Sequence, residues 1–379
     1  MDLAFTQEEE AFRAEARDWL AARVRTAPLP SLETAEGFAA HRAWEAELAA
    51  DRWSVVNWPE AYGGRDAGLI RWLIFEEEYW AAGAPGRVGQ NGISLLAPTL
   101  FDHGTAEQRA RVLPPMATGD VVWAQAWSEP EAGSDLASLR SRAVRSDGGW
   151  LLSGQKTWSS RAAFADRAFG LFRSEPGLPK PHQGLTYLMF DLRAPGVTVR
   201  PIGRLDGKPA FAELFLDGVF VPDEDVIGTP GEGWRIAMSA AGNERGLMLR
   251  APGRFLAAAG RLRGLWTERG CPQHARDRVA DALIGARAYQ LFTYAAASRF
   301  LEGGRLGPES SLNKVFWSEL DLALHETALD LLDGDGELAD TDWSEGYVFS
   351  LAGPVYAGTN EIQRDIIAER LLGLPKGRR

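Results

Sequence analysis

Cysteine is almost missing from this chain: Cys271 is the only one in 379 residues. One thiol closes no intramolecular disulfide and builds no thiolate metal cage. Histidine is nearly as scarce. His41, His103, His182, His274 and His325 are scattered without metal-ligand spacing, so no bound metal is expected. No run approaches the ~18 uninterrupted apolar residues that span a bilayer. The opening Met1 to Glu10 lacks the basic and apolar regions of a secretory signal. These absences predict no membrane partner and a cytoplasmic location. Positive charge is in deficit, with 41 Lys+Arg against 52 Asp+Glu and a net charge of −11. That argues against a broad phosphate-binding surface, so no nucleic acid is expected as partner. Gly228, Gly231 and Gly233 do not form the dinucleotide G-x-G-x-x-G element, and no G-x-S-x-G elbow occurs. The acidic run Asp333 to Glu337 has Leu338 where a calcium loop needs glycine, and is expected to be an ordinary loop.

What is present is ordinary globular material, with 45% hydrophobic, 10% aromatic and 25% charged residues. Its length suits two or three packed units at roughly 150 residues each. The first third reads as helical. Thr6 and Glu9 form a capping-box pattern, followed by Phe12, Ala16, Trp19, Leu20 and Val24 on one helical face. Pro28 and Pro30 end that helix, and further helices are predicted over 34–50, 69–82 and 105–117. From Val121 to about Gly228 the pattern shifts to short strand-like runs, including 185–191, 197–202, 212–216 and 219–221. Turns are expected at Asp147-Gly148-Gly149, Ala194-Pro195-Gly196 and Asp217-Gly218. Helical periodicity returns at Gly233, and the last helix is expected to begin near Thr359 or Asn360 and stop at Gly373 and Pro375. The order predicts an α+β chain with one β module between two helical ones.

Three segments carry the chemistry. They are Trp123 to Leu136 (WAQAWSEPEAGSDL), Gly154 to Ser160 (GQKTWSS) and Tyr356 to Arg364 (YAGTNEIQR). The first two set tryptophans and small hydroxyl residues beside glycine turns. Tryptophan offers a broad plane to a flat ring, and hydroxyls and amides bond such a ring's polar edge. The same residues also suit an apolar core with serine turns, and composition alone leaves both readings open.

Together, and in this order, the segments resemble the signature motifs of the acyl-CoA dehydrogenase family, flavoproteins that desaturate acyl thioesters between Cα and Cβ. Trp58 to Gly64, His103-Gly104-Thr105 and Val219 to Gly228 extend the resemblance over nearly the whole chain. It implies an N-terminal helical domain over 1–120, a middle β-barrel over 121–229 and a C-terminal four-helix bundle over 230–379, with FAD between barrel and bundle. It is closest to a bacterial branch acting on bulky or branched acyl chains, some of them in steroid degradation. It implies that Gln125, Ala126, Trp127 and Ser128 line the flavin, that Trp158 covers one face and that Ser160 bonds near N5. Thr359 and Glu361 match positions that touch the cofactor, and Ser134 one that touches the thioester.

The resemblance also raises the question of the base. Many members carry a glutamate directly before the Gly-Thr of the third segment, where this chain has Ala357. A second group places its glutamate before an arginine on the first long C-terminal helix, which here matches Glu244-Arg245. Trp234, Met238, Ala241 and Arg245 recur at helical spacing, with Glu244 at the edge of that stripe. The alternative for Glu244 is a solvated surface glutamate. The implied reaction takes the Cα proton to Glu244 and the Cβ hydride to flavin N5, with Asn243 and Arg245 beside the acyl-CoA substrate. Electrons would pass on to an electron-transfer flavoprotein. The implied assembly is a homodimer or homotetramer, or a hetero-oligomer with a related chain. In the last case this chain could be a non-catalytic or FAD-deficient partner subunit, which the vacancy at Ala357 favours. The region Glu268 to Arg278 lacks the Arg-x-x-Phe-Gly pattern that many members use toward the FAD pyrophosphate.

Overall fold

The computed structural model describes residues 4–245, 252–303, 307–338 and 341–376, and the side chains of residues 240–245 and 337–338 lie outside that description. Helices precede strands and helices follow them, as the periodicities predict. The N-terminal helices are α1 (Gln7–Arg23), α2 (Ala35–Ala50), α3 (Gly68–Ala81), α4 (Ala97–His103) and α5 (Ala106–Ala117). The strands are β1 (Trp123–Ala126), β2 (Arg142–Ser146), β3 (Gly149–Ser160), β4 (Arg167–Arg173), β5 (Leu185–Asp191), β6 (Val197–Ile202), β7 (Phe211–Pro222) and β8 (Val226–Ile227). Four longer helices come next, α6 (Gly233–Arg245), α7 (Gly253–Glu268), α8 (Arg276–Leu301) and α9 (Glu309–Leu332). The short α10 (Gly334–Leu338), α11 (Asp342–Ser350) and α12 (Asn360–Ile366) close the chain.

Caps fix the helix starts. The Thr6 hydroxyl accepts from the Glu9 N–H at 3.2 Å while the Glu9 carboxylate accepts from the Thr6 N–H at 2.8 Å. Thr105 and Gln108 repeat this box at the head of α5, with distances of 3.1 and 3.0 Å. Each box satisfies backbone donors that the helix itself leaves open.

By internal contacts the chain forms two compact units. The sheet unit comprises Ala27–Asp66 and Pro85–Asn243; the helical unit comprises Met1–Thr26, Ala67–Ala84 and Glu244–Arg379. In the sheet unit the eight strands make one sheet, ordered β6-β7-β3-β2-β4-β5-β8, with β1 parallel to β4. The long β3 pairs antiparallel with both β2 and β7. Ala168 to Phe172 of β4 and Leu185 to Phe190 of β5 are buried without alternation, as in strands covered on both faces. One core gathers Trp58, Leu96, Leu113, Met116 and Tyr187; a second gathers Ala126, Leu152, Phe172, Phe190 and Val221.

Two local expectations change. Asp217-Gly218 is not a hairpin turn: β7 runs through it, because Ala212 to Leu216 and Val219 to Val221 pair with the same strand, β3. Gly218 takes φ +64° there, and the pairing slips between Leu152 and Gly154, the mark of a β-bulge. The acidic run after Leu332 is not a plain loop either, since Gly334–Leu338 is a short helix.

In the helical unit, α3 packs against α1 and α7, and every residue from Trp72 to Tyr79 is buried. Gly253 allows the approach of α7, since a Cβ there would lie 2.6 Å from the Glu76 carbonyl oxygen. The three consecutive glutamates on α3 are not left unmatched. Glu78 is hydrogen-bonded by Arg13 at 2.9 Å and by Arg17 at 2.9 and 3.0 Å, and Glu77 by Arg13 and Gln290. The unit's apolar core is Phe255, Leu262, Tyr289, Trp317 and Leu324, from α7, α8 and α9. Among the described residues no helix is long and apolar enough to cross a membrane.

Candidate functional site

On the sheet unit, the first two signature segments lie side by side. Gln125 and Ala126 sit on β1, which pairs with β4, and Trp127 and Ser128 follow directly. The N–H of Thr157 on β3 donates to the Ser128 carbonyl oxygen at 2.9 Å. Trp127 is half-buried; its ring meets Tyr187 edge-on and its Nε1–H donates to the Tyr187 hydroxyl at 3.0 Å. That bond fixes the plane of the indole.

Trp158 is the least covered large ring here. It is 60% exposed, has φ +59° within a strand, and touches Phe211 edge-on. A left-handed backbone at a non-glycine residue stores strain of order 1–3 kcal/mol. It also breaks the alternation of β3, whose pairing with β7 slips between Lys156 and Ser159. The result is a broad indole that the core leaves uncovered. Ser160 is half-buried opposite Phe211, and Ser134 lies exposed after the Glu129–Ala132 turn. Gln125 Nε2 and Ser159 Oγ are buried with no hydrogen-bond partner among the described residues. An uncovered indole with unmatched polar atoms nearby in the chain suits a flat ring with polar edges, which is the character of a flavin.

Two residues beneath this surface escaped the sequence reading, although both stand within its motifs. Lys156 is wholly buried and hydrogen-bonds Glu129 at 2.8 Å. Burial pushes the Lys156 ammonium down to about 8, although the Glu129 carboxylate opposes the shift. Burial pushes Glu129 upward, but Lys156 and the backbone amides bonding it outweigh that and hold it below the ordinary carboxylate range. A lysine between a glutamine and a threonine in a strand was the available signal.

The third segment belongs to the helical unit. Thr359 is the N-cap of α12, its hydroxyl accepting from the Ile362 N–H at 3.3 Å. Glu361 is exposed in the first turn, its carboxyl held low by its own backbone N–H and by Thr359. Ala357 takes φ +55° and Gly358 φ +76°. The buried Gln363 amide donates to both of their carbonyls, at 2.9 and 3.3 Å. Asn360 Oδ1 accepts from the wholly buried Lys314 at 2.7 Å and from Ser318 at 3.1 Å. Asn243, Glu244 and Arg245 fall on α6, but their side chains lie outside the described residues. An open groove of about 460 Å³, lined by Leu139, Arg140, Arg142 and Arg173, includes none of these residues.

The order of helical, sheet and helical regions and the uncovered indole on the sheet unit suit a flavoprotein oxidoreductase. Family models match in chain order: the acyl-CoA dehydrogenase N-terminal domain over 6–120, the middle domain over 124–219 and the C-terminal domain over 231–372. This chain belongs to the acyl-CoA dehydrogenase family, whose members are FAD-binding oxidoreductases. It is 37% identical over 390 aligned residues to acyl-CoA dehydrogenase IpdE1 of Mycobacterium tuberculosis, spanning 98% of this chain and 99% of that protein. Among solved structures, the Tcur3481-Tcur3483 steroid ACAD superposes with a TM-score of 0.85 at 25% identity, covering both chains completely. The ChsE4-ChsE5 complex of Mycobacterium tuberculosis superposes with a TM-score of 0.84 at 28% identity, again over the whole of both chains.

Proposed function

We propose that this chain desaturates an acyl-CoA thioester to the trans-2-enoyl-CoA, with Glu244 as the α-proton acceptor. FAD, when bound, supplies the acceptor for the hydride that leaves Cβ. The protein's part is to hold that ring and to take the proton. Trp158, Gln125, Ala126, Trp127, Ser128 and Ser160 would hold the flavin ring, Trp158 by its uncovered indole and Ser160 by its hydroxyl. Thr359 and Glu361 reach the cofactor from the C-terminal segment. Ser134, Asn243 and Arg245 contact the thioester substrate. The Glu244 carboxylate takes the pro-R Cα proton, which needs a site dry enough to raise its basicity toward neutrality. The enolate charge that develops on the thioester oxygen is met by hydrogen-bond donors.

The observation that carries this reading is the Thr157-to-Ser128 hydrogen bond, which joins two segments distant in sequence into one surface beside an uncovered indole. The relatives suggest the acyl group: one solved structure is a steroid ACAD, so a bulky, steroid-derived chain is the substrate class to try first. An electron-transfer flavoprotein is the proposed onward acceptor.

The test is Glu244→Gln, which keeps shape and removes basicity. Turnover is expected to fall about 10³-fold while bound flavin is retained. Adding Ala357→Glu restores a carboxylate at the alternative position and should recover part of the loss. Unchanged turnover in Glu244→Gln would remove Glu244 from the reaction.

A second reading has its own observation. Ala357 bears no acid, and the ChsE4-ChsE5 structure is a complex of two different chains. On this reading the protein is the non-catalytic or FAD-deficient partner of a hetero-oligomer. Purified protein that stays colourless after addition of FAD would favour it over the enzyme.

A further inference from the structure

Lys156 is a costly residue to place where it lies. It is 0% exposed on β3, and its ammonium faces three acceptors from two separate stretches of chain. These are the Leu171 carbonyl on β4 at 2.7 Å, Glu129 Oε1 at 2.8 Å and the Trp127 carbonyl at 3.3 Å. An ammonium has three N–H donors, so every donor finds one acceptor. Glu129 accepts in turn from the backbone N–H groups of Arg140 at 2.6 Å and Ser141 at 3.0 Å. The Phe172 ring closes the site 4.8 Å from the nitrogen. Glu129 is the only charged group that faces the ammonium among these contacts.

Stability alone gives a poor account of this arrangement. A buried ion pair recovers little beyond its desolvation cost, and apolar residues of similar volume often serve as well. What an apolar pair lacks is direction. Lys156 grips the carbonyl of Trp127, and the next residue on β3, Thr157, grips the carbonyl of Ser128. Two successive peptide groups of the first segment are thereby held by two successive residues of the second.

On the flavin-site reading above, we propose that Lys156, held by Glu129, is a positioning residue for the flavin, setting Trp127 and Ser128 in register with Trp158 and Ser160. Lys156 touches neither cofactor nor substrate; it acts through the two segments it ties. Removing it leaves the fold of the sheet intact and lets the Trp127–Ser128 peptide shift, so the ring loses a matched surface.

The experiment uses the purified full-length chain, stripped of flavin and reconstituted with FAD. Variants are K156Q and the charge-neutral K156M/E129Q, whose one amide oxygen at 129 can still accept from the N–H of either Arg140 or Ser141. The control is D225N, which disturbs a different buried ion-pair cluster of the same unit, Asp225 with Arg111 and Arg167. FAD dissociation constants and the visible circular dichroism of bound flavin are read at a temperature where each protein is folded. K156M/E129Q is expected to bind FAD at least ~10-fold more weakly, with an altered dichroic band, and K156Q likewise. D225N is expected to melt earlier yet bind FAD within about twofold of wild type. Should one Lys156 variant not fold, the other carries the comparison. Wild-type affinity and spectrum in a folded Lys156 variant, or equal weakening in D225N, overturns the positioning role. Failure of the wild-type protein itself to take up FAD would instead overturn the flavin reading on which it rests.

Discussion

The chain has only five lysines, Lys156, Lys180, Lys208, Lys314 and Lys376, and two of them are completely buried. Both buried ones serve signature segments: Lys156 holds the Trp127 carbonyl and Lys314 holds the Asn360 amide. A compact ammonium can aim its protons at converging acceptors, whereas the flat fork of arginine suits carboxylates met edge-on. Arg254 meets Asp321 at 2.7 Å in the helical unit, with the His325 Nδ1 only 3.4 Å from the same carboxylate. Burial would push the Asp321 carboxyl up, but Arg254 and His325 overcome this and hold it at about 2, against an ordinary 3.8. The sign follows from proton counting. As pH falls the unfolded chain takes up its proton first, so the stabilisation is complete above the ordinary value and is lost between it and about 2. The difference corresponds to roughly 2–3 kcal/mol. Asp321→Asn is therefore expected to cost roughly 3 kcal/mol near neutrality by leaving Arg254 unmatched. Thermal melts taken from about pH 5 down to about pH 3 should fall less steeply for this variant than for wild type.

Elements show where a one-dimensional reading succeeds and where it stops. β5 and β6 fall on the predicted stretches, because an apolar run of strand length bounded by glycine and proline has few other uses. β4 was not foreseen: Arg167 to Arg173 has arginine at both ends and glycine at its centre, which hides a fully covered strand. The Asp217-Gly218 pair carries a turn's residues, yet both flanks face β3, and only the partner strand decides between turn and bulge. The three signature segments were legible as candidates, and Ala357 as a vacancy. The Lys156–Glu129 link spans 27 positions and was not legible as a contact, since local patterns do not report what meets across a sheet. β3 offers a sharp test of its close packing. A Cβ at Gly154 would lie 2.3 Å from Ser141 Oγ and 2.7 Å from Ser141 Cα, at φ +144°. Gly154→Ala is expected to lower the stability of the chain by about 2–3 kcal/mol. Gly218→Ala has open space, and its left-handed φ alone should cost about 1 kcal/mol. Urea midpoints of the two variants compared with wild type give the ranking.

At the scale of the whole molecule, a ligand that binds only the folded chain adds stability by mass action. FAD at 100 times its dissociation constant is expected to contribute about 2.7 kcal/mol and to raise the melting temperature with flavin concentration. A melting temperature indifferent to added FAD would count against cofactor binding by this chain on its own. The helical unit is not a contiguous stretch. It takes α1 and α3 from the start of the sequence and packs α3 against α7 and α8 from its second half. During vectorial synthesis the buried face of α3 therefore leaves the ribosome about 170 residues ahead of the helix that covers it. At about 5–20 residues per second that is a wait of roughly ten to thirty seconds. For that interval the nascent chain carries an uncovered sticky helix, which makes the early N-terminal segment the natural client of a chaperone.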